Sequence, residues 1–238
     1  MKKITTILLI SLLLTSCEEL YRITQHTLND PSQQEISMGM KESLLVGAEN
    51  AIKTLSAEGG FSANELVKIS FPPEAQRMER ALRNIGFSNA IDKFVATMNE
   101  SAEVATAYAF DIFANAVRQM TFEDVMGIFL GPEDAATQYL IRTTSAQLET
   151  AFNPVIKNAI DQVELTAIWN PLVRTYNDIP FSQPVNPNLE EYITEQAMNG
   201  IFLIVAREEA KIRENPQARV SDILKRVFNY RDQQLASK

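Results

Sequence analysis

The seven residues Gly200-Ile-Phe-Leu-Ile-Val-Ala206 include no polar side chain, and they lie inside a stretch marked as one long helix. Asn188, with Glu191 three residues on, supplies the start, and Asn215-Pro216 the stop. An Asn side chain accepts from the free N–H groups of a first turn, and proline cannot continue a helix. The segment is apolar on every side, so it needs other elements around it. It is far short of the ~20 residues required to cross a bilayer. The rest of the chain must therefore supply a shell around a central helix.

Helical stripes supply that shell. Ile36, Met40, Leu44, Ala48, Ile52 and Leu55 mark one face of a helix from about Ser32 to Ser56. Gly39, Ser43, Gly47 and Ala51 form a second stripe at spacing four, which lets another helix approach closely. Lys41, Glu42, Glu49 and Lys53 on the same segment place that approach in a soluble core and not in a bilayer. Pro72-Pro73 opens a helix to Ile85, with Gly86 as its stop, and a longer helical stretch runs from Ser88 to Gln119, with Glu100-Ser101 as the candidate break. Thr121 and Asp124 have the spacing of a capping box, and the short helix they open ends at Gly131-Pro132. Pro132 opens a helix to Phe152, Asn153-Pro154 another to Val163, and a further one spans Leu165 to Asn177. Pro180, Pro184 and Pro187 then break regular structure, and Ser221 to Tyr230 forms a closing helix after the central one. No segment alternates with period two. The expected fold is all-α: a single domain of about eight to ten helices around the central one.

The N-terminus reads as an address. Lys2 and Lys3 precede an apolar run from Ile4 to Leu14, too short for a spanning helix, and the run leads into Leu14-Thr15-Ser16-Cys17. This resembles the lipobox of bacterial lipoprotein signal peptides, in which the cysteine is acylated and becomes the new N-terminus. The expected layout is a signal over 1–16, a lipidated N-terminus and flexible tether over 17–31, a helical domain over 32–230 and a fraying tail over 231–238. Glu18 follows the cysteine where Asp is the familiar inner-membrane retention signal, so the expected location is the outer membrane of the cell envelope. Cys17 is the only cysteine, which leaves the mature chain without an intramolecular disulfide. The formal charge of −8 is unsuited to nucleic acid.

Several chemistries lack their residues. A Ser-His-Asp or Cys-His site needs a histidine in a cavity, and His26, the only one, falls in the tether. Zinc sites of the His/Cys type lack ligands, and the glycines fit neither a dinucleotide nor a P-loop pattern. No cofactor or metal is expected. Acidic doublets occur at Glu18-Glu19, Glu123-Asp124, Glu133-Asp134, Glu190-Glu191 and Glu208-Glu209. Neighbouring helical residues point about 100° apart, so a doublet is better read as favourable charge near a helix start than as a chelate. The densest polar stretch is 118–144, with Arg118, Thr121, Glu123, Asp124, Asp134, Thr137, Tyr139, Arg142 and Thr144. Two readings stand for it: buried Arg–carboxylate pairs that fix a helix crossing, or the lining of a ligand pocket.

The segments M-G-M-K-E-S-L-L-V-G-A-E-N-A-I (38–52), R-Q-M-T-F-E-D-V-M-G-I-F-L-G (118–131), D-A-A-T-Q-Y-L-I-R-T-T (134–144), W-N-P-L-V-R-T-Y-N (169–177) and E-E-Y-I-T-E-Q-A-M-N-G-I-F-L-I-V-A-R-E-E (190–209), with N-P-Q-A-R-V-S-D-I-L-K-R-V-F (215–228), occur in that order. Together they resemble the bacterial family called domain of unknown function 4197, over about residues 33–228. The resemblance implies a helical domain in exported, often lipid-anchored, proteins of Gram-negative bacteria, and it brings no activity. The family's recurrent polar positions correspond to Arg118, Thr121, Asp134, Thr137, Tyr139 and Thr144, without catalytic roles.

Three functions compete at this stage. The first is a non-enzymatic envelope lipoprotein that binds a protein partner or supports an assembly. The second is a carrier of a lipid-like ligand, its cavity lined by Met98, Phe110, Phe113, Met120, Phe122, Met126 and Phe129. The third is a carboxylate-dependent hydrolase built on the Arg118–Arg142 region. The first is the leading expectation, because the catalytic constellations are missing.

Overall fold

The computed structural model describes residues 30–162, 165–181 and 188–236. Among them the chain forms nine α-helices and no strand: α1 (Gln33–Leu55), α2 (Gln76–Asn84), α3 (Ser88–Thr106), α4 (Ala109–Gln119), α5 (Phe122–Leu130), α6 (Ala135–Gln162), α7 (Leu165–Asn177), α8 (Leu189–Glu214) and α9 (Asp222–Ala236). Short 3-10 turns at Pro73–Ala75 and Pro216–Ala218 lead into α2 and follow α8. The all-α expectation holds. The proposed signal, Cys17 and most of the tether lie outside the described residues; Pro31 is already buried.

Helix α8 is the axis of the domain. It packs along α6, α1 and α3, and buries Ile193, Ala197, Ile201, Val205 and Ile212. Its apolar segment is not enclosed on every side, however, because Leu203 remains 41% exposed. The small residues of α1 serve the close approach expected of them. A Cβ on Gly39 would come within 2.8 Å of Val227 Cγ2 on α9, and Gly47 lies against Glu208 and Ile212 of α8. Gly200 does the same on α8, where a Cβ would meet the ring of Phe61 at 2.7 Å.

Local capping fixes three starts where the sequence places them. Ser32 and Glu35 form a capping box for α1, Thr121 and Asp124 one for α5, and the Asn188 side chain accepts from the Glu191 N–H at the start of α8. Between α1 and α2 the chain is irregular, and α3 satisfies its backbone. Asn99 brackets Ile69, accepting its N–H at 2.8 Å and donating to its carbonyl at 2.9 Å. Buried Glu103, one turn on, accepts from the N–H groups of Phe61 and Ser62. Phe71, Phe94 and Trp169 then stack this loop's end between α3 and α7, with centroids 4.9–5.7 Å apart.

Three boundaries differ from expectation. The break between α3 and α4 falls at Ala107-Tyr108 and not at Glu100-Ser101. Ser101 is buried inside α3, with its hydroxyl donating back to Thr97 O. The break lets α3 follow α8 and α6 while α4 turns onto α1 and α6. Pro154 does not start a helix but sits within α6. It removes the N–H that Thr150 O would accept, but Thr150 and Pro154 are both exposed, so water can serve that carbonyl. Packing of α6 on α3, α4 and α8 carries the helix through. Finally, the tail expected to fray from Arg231 stays helical to Ala236, because Arg231 is itself buried and donates to Phe129 O at 3.0 Å.

Candidate functional site

The polar residues expected to gather over 118–144 disperse in the structure. Arg118 is exposed and bonds Asn115 in its own helix; Glu123 and Asp134 are exposed as well. Asp134 accepts from Gln138, one turn along. Thr144 is buried and turns back to Leu140 O. Thr121 and Asp124 are occupied with each other: the Asp124 carboxylate accepts from the Thr121 N–H at 2.9 Å and from its hydroxyl at 2.7 Å. Those two bonds hold the Asp124 carboxyl below the usual aspartate range, helped by Arg142 and Lys41. Arg142 lies 5.5 Å over the Tyr139 ring, and burial together with Asp124 raises the Tyr139 hydroxyl above its ordinary range. A carboxylate with a lowered pKa fits a cap, whereas a general acid needs the opposite shift.

This capping box makes an acid-sensitive contribution. The folded pKa of Asp124 is lowered, so its stabilisation is complete above the ordinary aspartate range and disappears as the pH falls through the lowered value. Thr121→Ala is expected to cost about 1 kcal/mol at neutral pH in urea denaturation. Asp124→Asn is expected to flatten the loss of stability between neutral and acid pH relative to the parent chain.

Thr137, Tyr139 and Thr144 of the predicted group are buried, and Thr137 leads to a cluster that the reading of 118–144 did not include. Helix α6 begins without a local side-chain cap on its N–H groups 136 and 137. Glu209, from late in α8, performs that task. Its Oε1 accepts from the Ala136 N–H at 3.0 Å, and its Oε2 accepts from the Thr137 N–H and hydroxyl, both at 2.8 Å. The same carboxylate receives Arg213, one turn along α8, through Nε at 2.9 Å and Nη2 at 2.8 Å. Arg213 is only 4% exposed, and its Nη2 also reaches Ile128 O in the last turn of α5. Arg231 of α9 caps the next carbonyl, Phe129 O. Burial, then the nearby Arg213 charge, lowers the Arg231 pKa. Arg219, 2% exposed, gathers the end of α8 by donating to Ile212 O and Arg213 O, and reaches Asn229 and Asp232 on α9.

Helix termini thus receive their partners from other helices. Negative charge sits at the start of α6, and positive charge sits at the ends of α5 and α8, in the sense favoured by the helix dipole. Lys41 of α1 repeats the pattern by donating to Arg118 O and Met120 O at the end of α4. Buried arginines do link helices, but they are Arg213, Arg219 and Arg231, from outside 118–144, where Arg118 and Arg142 are exposed. The sequence signal available was the pair Glu209 and Arg213, opposite charges one helical turn apart at the end of an apolar run.

Beside this node the same helix pair opens. A groove of about 570 Å³ runs between α6 and α8. Ile141, Ser145, Glu149 and Asn153 line one side at spacing four, a run of about 18 Å along the helix. The helices are antiparallel there, since Thr194 donates to Asn153 Oδ1 at 3.0 Å while Glu209, further along α8, meets Thr137 near the start of α6. Ile141 and Phe202 therefore lie toward an apolar end and Glu190, Glu191 and Glu195 toward an acidic one, with Met198 and Glu149 between them. Among the described residues no group of three or more acidic or histidine side chains could hold a metal ion.

The resemblance in the sequence agrees with a comparison against known families: the family model described as Protein of unknown function (DUF4197) matches residues 30–229. No curated protein and no solved structure shows a significant match. The match covers every helix from α1 to α8 and the first half of α9, and with it the Glu209–Arg213 pair, Arg219 and the groove, so the chain belongs to the DUF4197 family of proteins of unknown function.

Proposed function

We propose that this protein is a lipid-anchored component of the bacterial envelope that acts by binding, and that the α6/α8 groove receives an extended, basic segment of a partner protein. The observation that carries the reading is the groove's graded lining. Its volume lies in the range of ligand sites, and about 18 Å of length accommodates five or six extended residues. A segment with lysines or arginines toward the acidic end, and apolar side chains toward Phe202, would match it in charge and hydropathy. The Leu14–Cys17 lipobox supports the anchor. Of the residues considered for a lipid chamber, Met98, Phe113, Met120 and Phe129 are core, with Phe113 packed on Phe202 and Phe129 stacked on Tyr230, while Phe122 is exposed.

Two measurements test the two halves. Cys17→Ser should move the protein out of the membrane fraction; retention there would remove the anchor. A fluorescent octapeptide with lysines in one half and leucines in the other should bind the chain from residue 18 onward, and less tightly as salt rises. Glu149→Lys with Glu195→Lys should weaken that binding at least about tenfold, a loss of ~1.4 kcal/mol. Asp111→Lys with Glu123→Lys, the same charge change on α4 and α5, should not. Equal losses in both double variants, or no binding at all, would remove the groove from consideration.

A further inference from the structure

Arg213 has a use left for one of its nitrogens. Nε and Nη2 are engaged by Glu209 and Ile128 O, but Nη1 is buried without a partner, alone among the buried side-chain nitrogens and oxygens of the described residues. A charged donor in the interior is strongly unfavourable unless something accepts from it. Arg213 borders a small cavity of about 20 Å³, and Ser43 and Glu209 are the other polar residues that line it. The remaining lining includes Leu44, Leu140 and Phe228.

The chemistry of those groups selects the occupant. A volume of about 20 Å³ is on the scale of the ~10–15 Å³ that one water needs and far below that of an organic ligand. Ser43 donates its hydroxyl proton to Met40 O at 2.8 Å, so its oxygen is left with lone pairs to accept. Glu209 already accepts five hydrogen bonds. An anion would have to sit beside that carboxylate, while a neutral molecule with one acceptor and two donors meets each group in its own sense.

We propose that a single ordered water occupies this cavity, accepting from Arg213 Nη1 and donating to Ser43 Oγ. The water ties α1 to the Glu209–Arg213 pair, which otherwise joins α5, α6 and α8. It also explains a buried serine in the small-residue stripe of α1, where Gly39 and Gly47 answer to close packing alone. The site lies along the same α6/α8 pair as the groove, and it does not depend on the groove's binding anything.

A crystal structure of the chain from residue 18 onward, at about 1.8 Å or better, tests it, because ordered buried waters are visible at that level. The expected result is one density peak within about 3.2 Å of both Arg213 Nη1 and Ser43 Oγ, silent in anomalous maps after a bromide soak. Magnetic relaxation dispersion in solution should then lose one long-lived water in Ser43→Val, which removes the hydroxyl and fills the space. A cavity without density, an anomalous bromide peak, or Nη1 turned onto a protein acceptor would each overturn the proposal. So would an unchanged count of long-lived waters in a folded Ser43→Val.

Discussion

Glu209→Ala is expected to destabilise the protein by about 3–5 kcal/mol, the range for removing one partner of a buried ion pair. Three consequences act together. The Ala136 and Thr137 N–H groups lose their acceptor at the start of α6, the Thr137 hydroxyl loses its own, and the Arg213 charge stays buried without a carboxylate. Glu209→Gln should cost less, since its carbonyl oxygen still accepts on one side while the charge is lost. The informative comparison is the pair Glu209→Leu with Arg213→Met. Removing both charges removes the cost of keeping either one dry, so the double variant should be more stable than Glu209→Ala. Urea denaturation followed by helical circular dichroism measures all three. A Glu209→Ala variant within about 1 kcal/mol of the parent would show that this carboxylate is not what holds α6 to α8.

Arg219→Ala should be comparably severe, at about 3 kcal/mol or more. The guanidinium reaches Ile212 O, Arg213 O, Asn229 Oδ1 and Asp232 Oδ2 from an almost fully buried position, and its Cζ lies 5.4 Å from the centroid of the Phe228 ring. Arg219→Lys should recover little. An ammonium has three donors on one atom and cannot span four acceptors on two helices. In a domain of this size 3 kcal/mol corresponds to a fall in Tm of about 6–12 °C. The damage should also be local: protease should cut between Glu214 and Asp222 in the variant before the parent chain is touched. A lysine variant as stable as the parent would mean that charge alone matters there, and not the fork.

These two residues also mark where sequence reading stopped. Ser32, Thr121 and Asn188 located helix starts because each bonds to a residue three positions on, and that spacing is visible in the chain. Gly86 located a stop for a similar reason: it takes φ +98°, open to glycine at little cost. The start of α6 has no comparable mark. Its acceptor comes from Glu209, more than seventy residues later. The same holds for Arg213, Arg219 and Arg231, which a linear reading takes for the solvated ends of helices. Arg118 and Arg142 looked like the buried arginines because they sit among apolar residues near other polar groups, but both face outward. Pro154 misled in the other direction, because the rule that proline ends a helix yields where the freed carbonyl faces water and the flanking faces are well packed. The break at Ala107-Tyr108 carries no glycine, proline or cap at all; tertiary packing alone decides it.

The groove was legible only in pieces. Glu190-Glu191 read correctly as favourable charge near a helix start, and Phe202 as part of the apolar segment of α8. That the acidic start of α8 faces Glu149 across a gap follows from the antiparallel pairing of two long helices, which no spacing within either one reveals.

The exchange of caps between helices bears on how the molecule comes apart. A helix that caps itself can fray or melt while its neighbours persist. Here α5 ends on groups from α8 and α9, α6 starts on a group from α8, and α4 ends on a lysine of α1. Opening any one of them strands charged groups of another, so partial opening is penalised and these helices are bound into one cooperative unit. Amide protons in the last turn of α5 and the first turn of α6 should therefore be released together with those of α8, at the rate of global unfolding. Helix α2, which holds none of these exchanged caps, is free to open on its own.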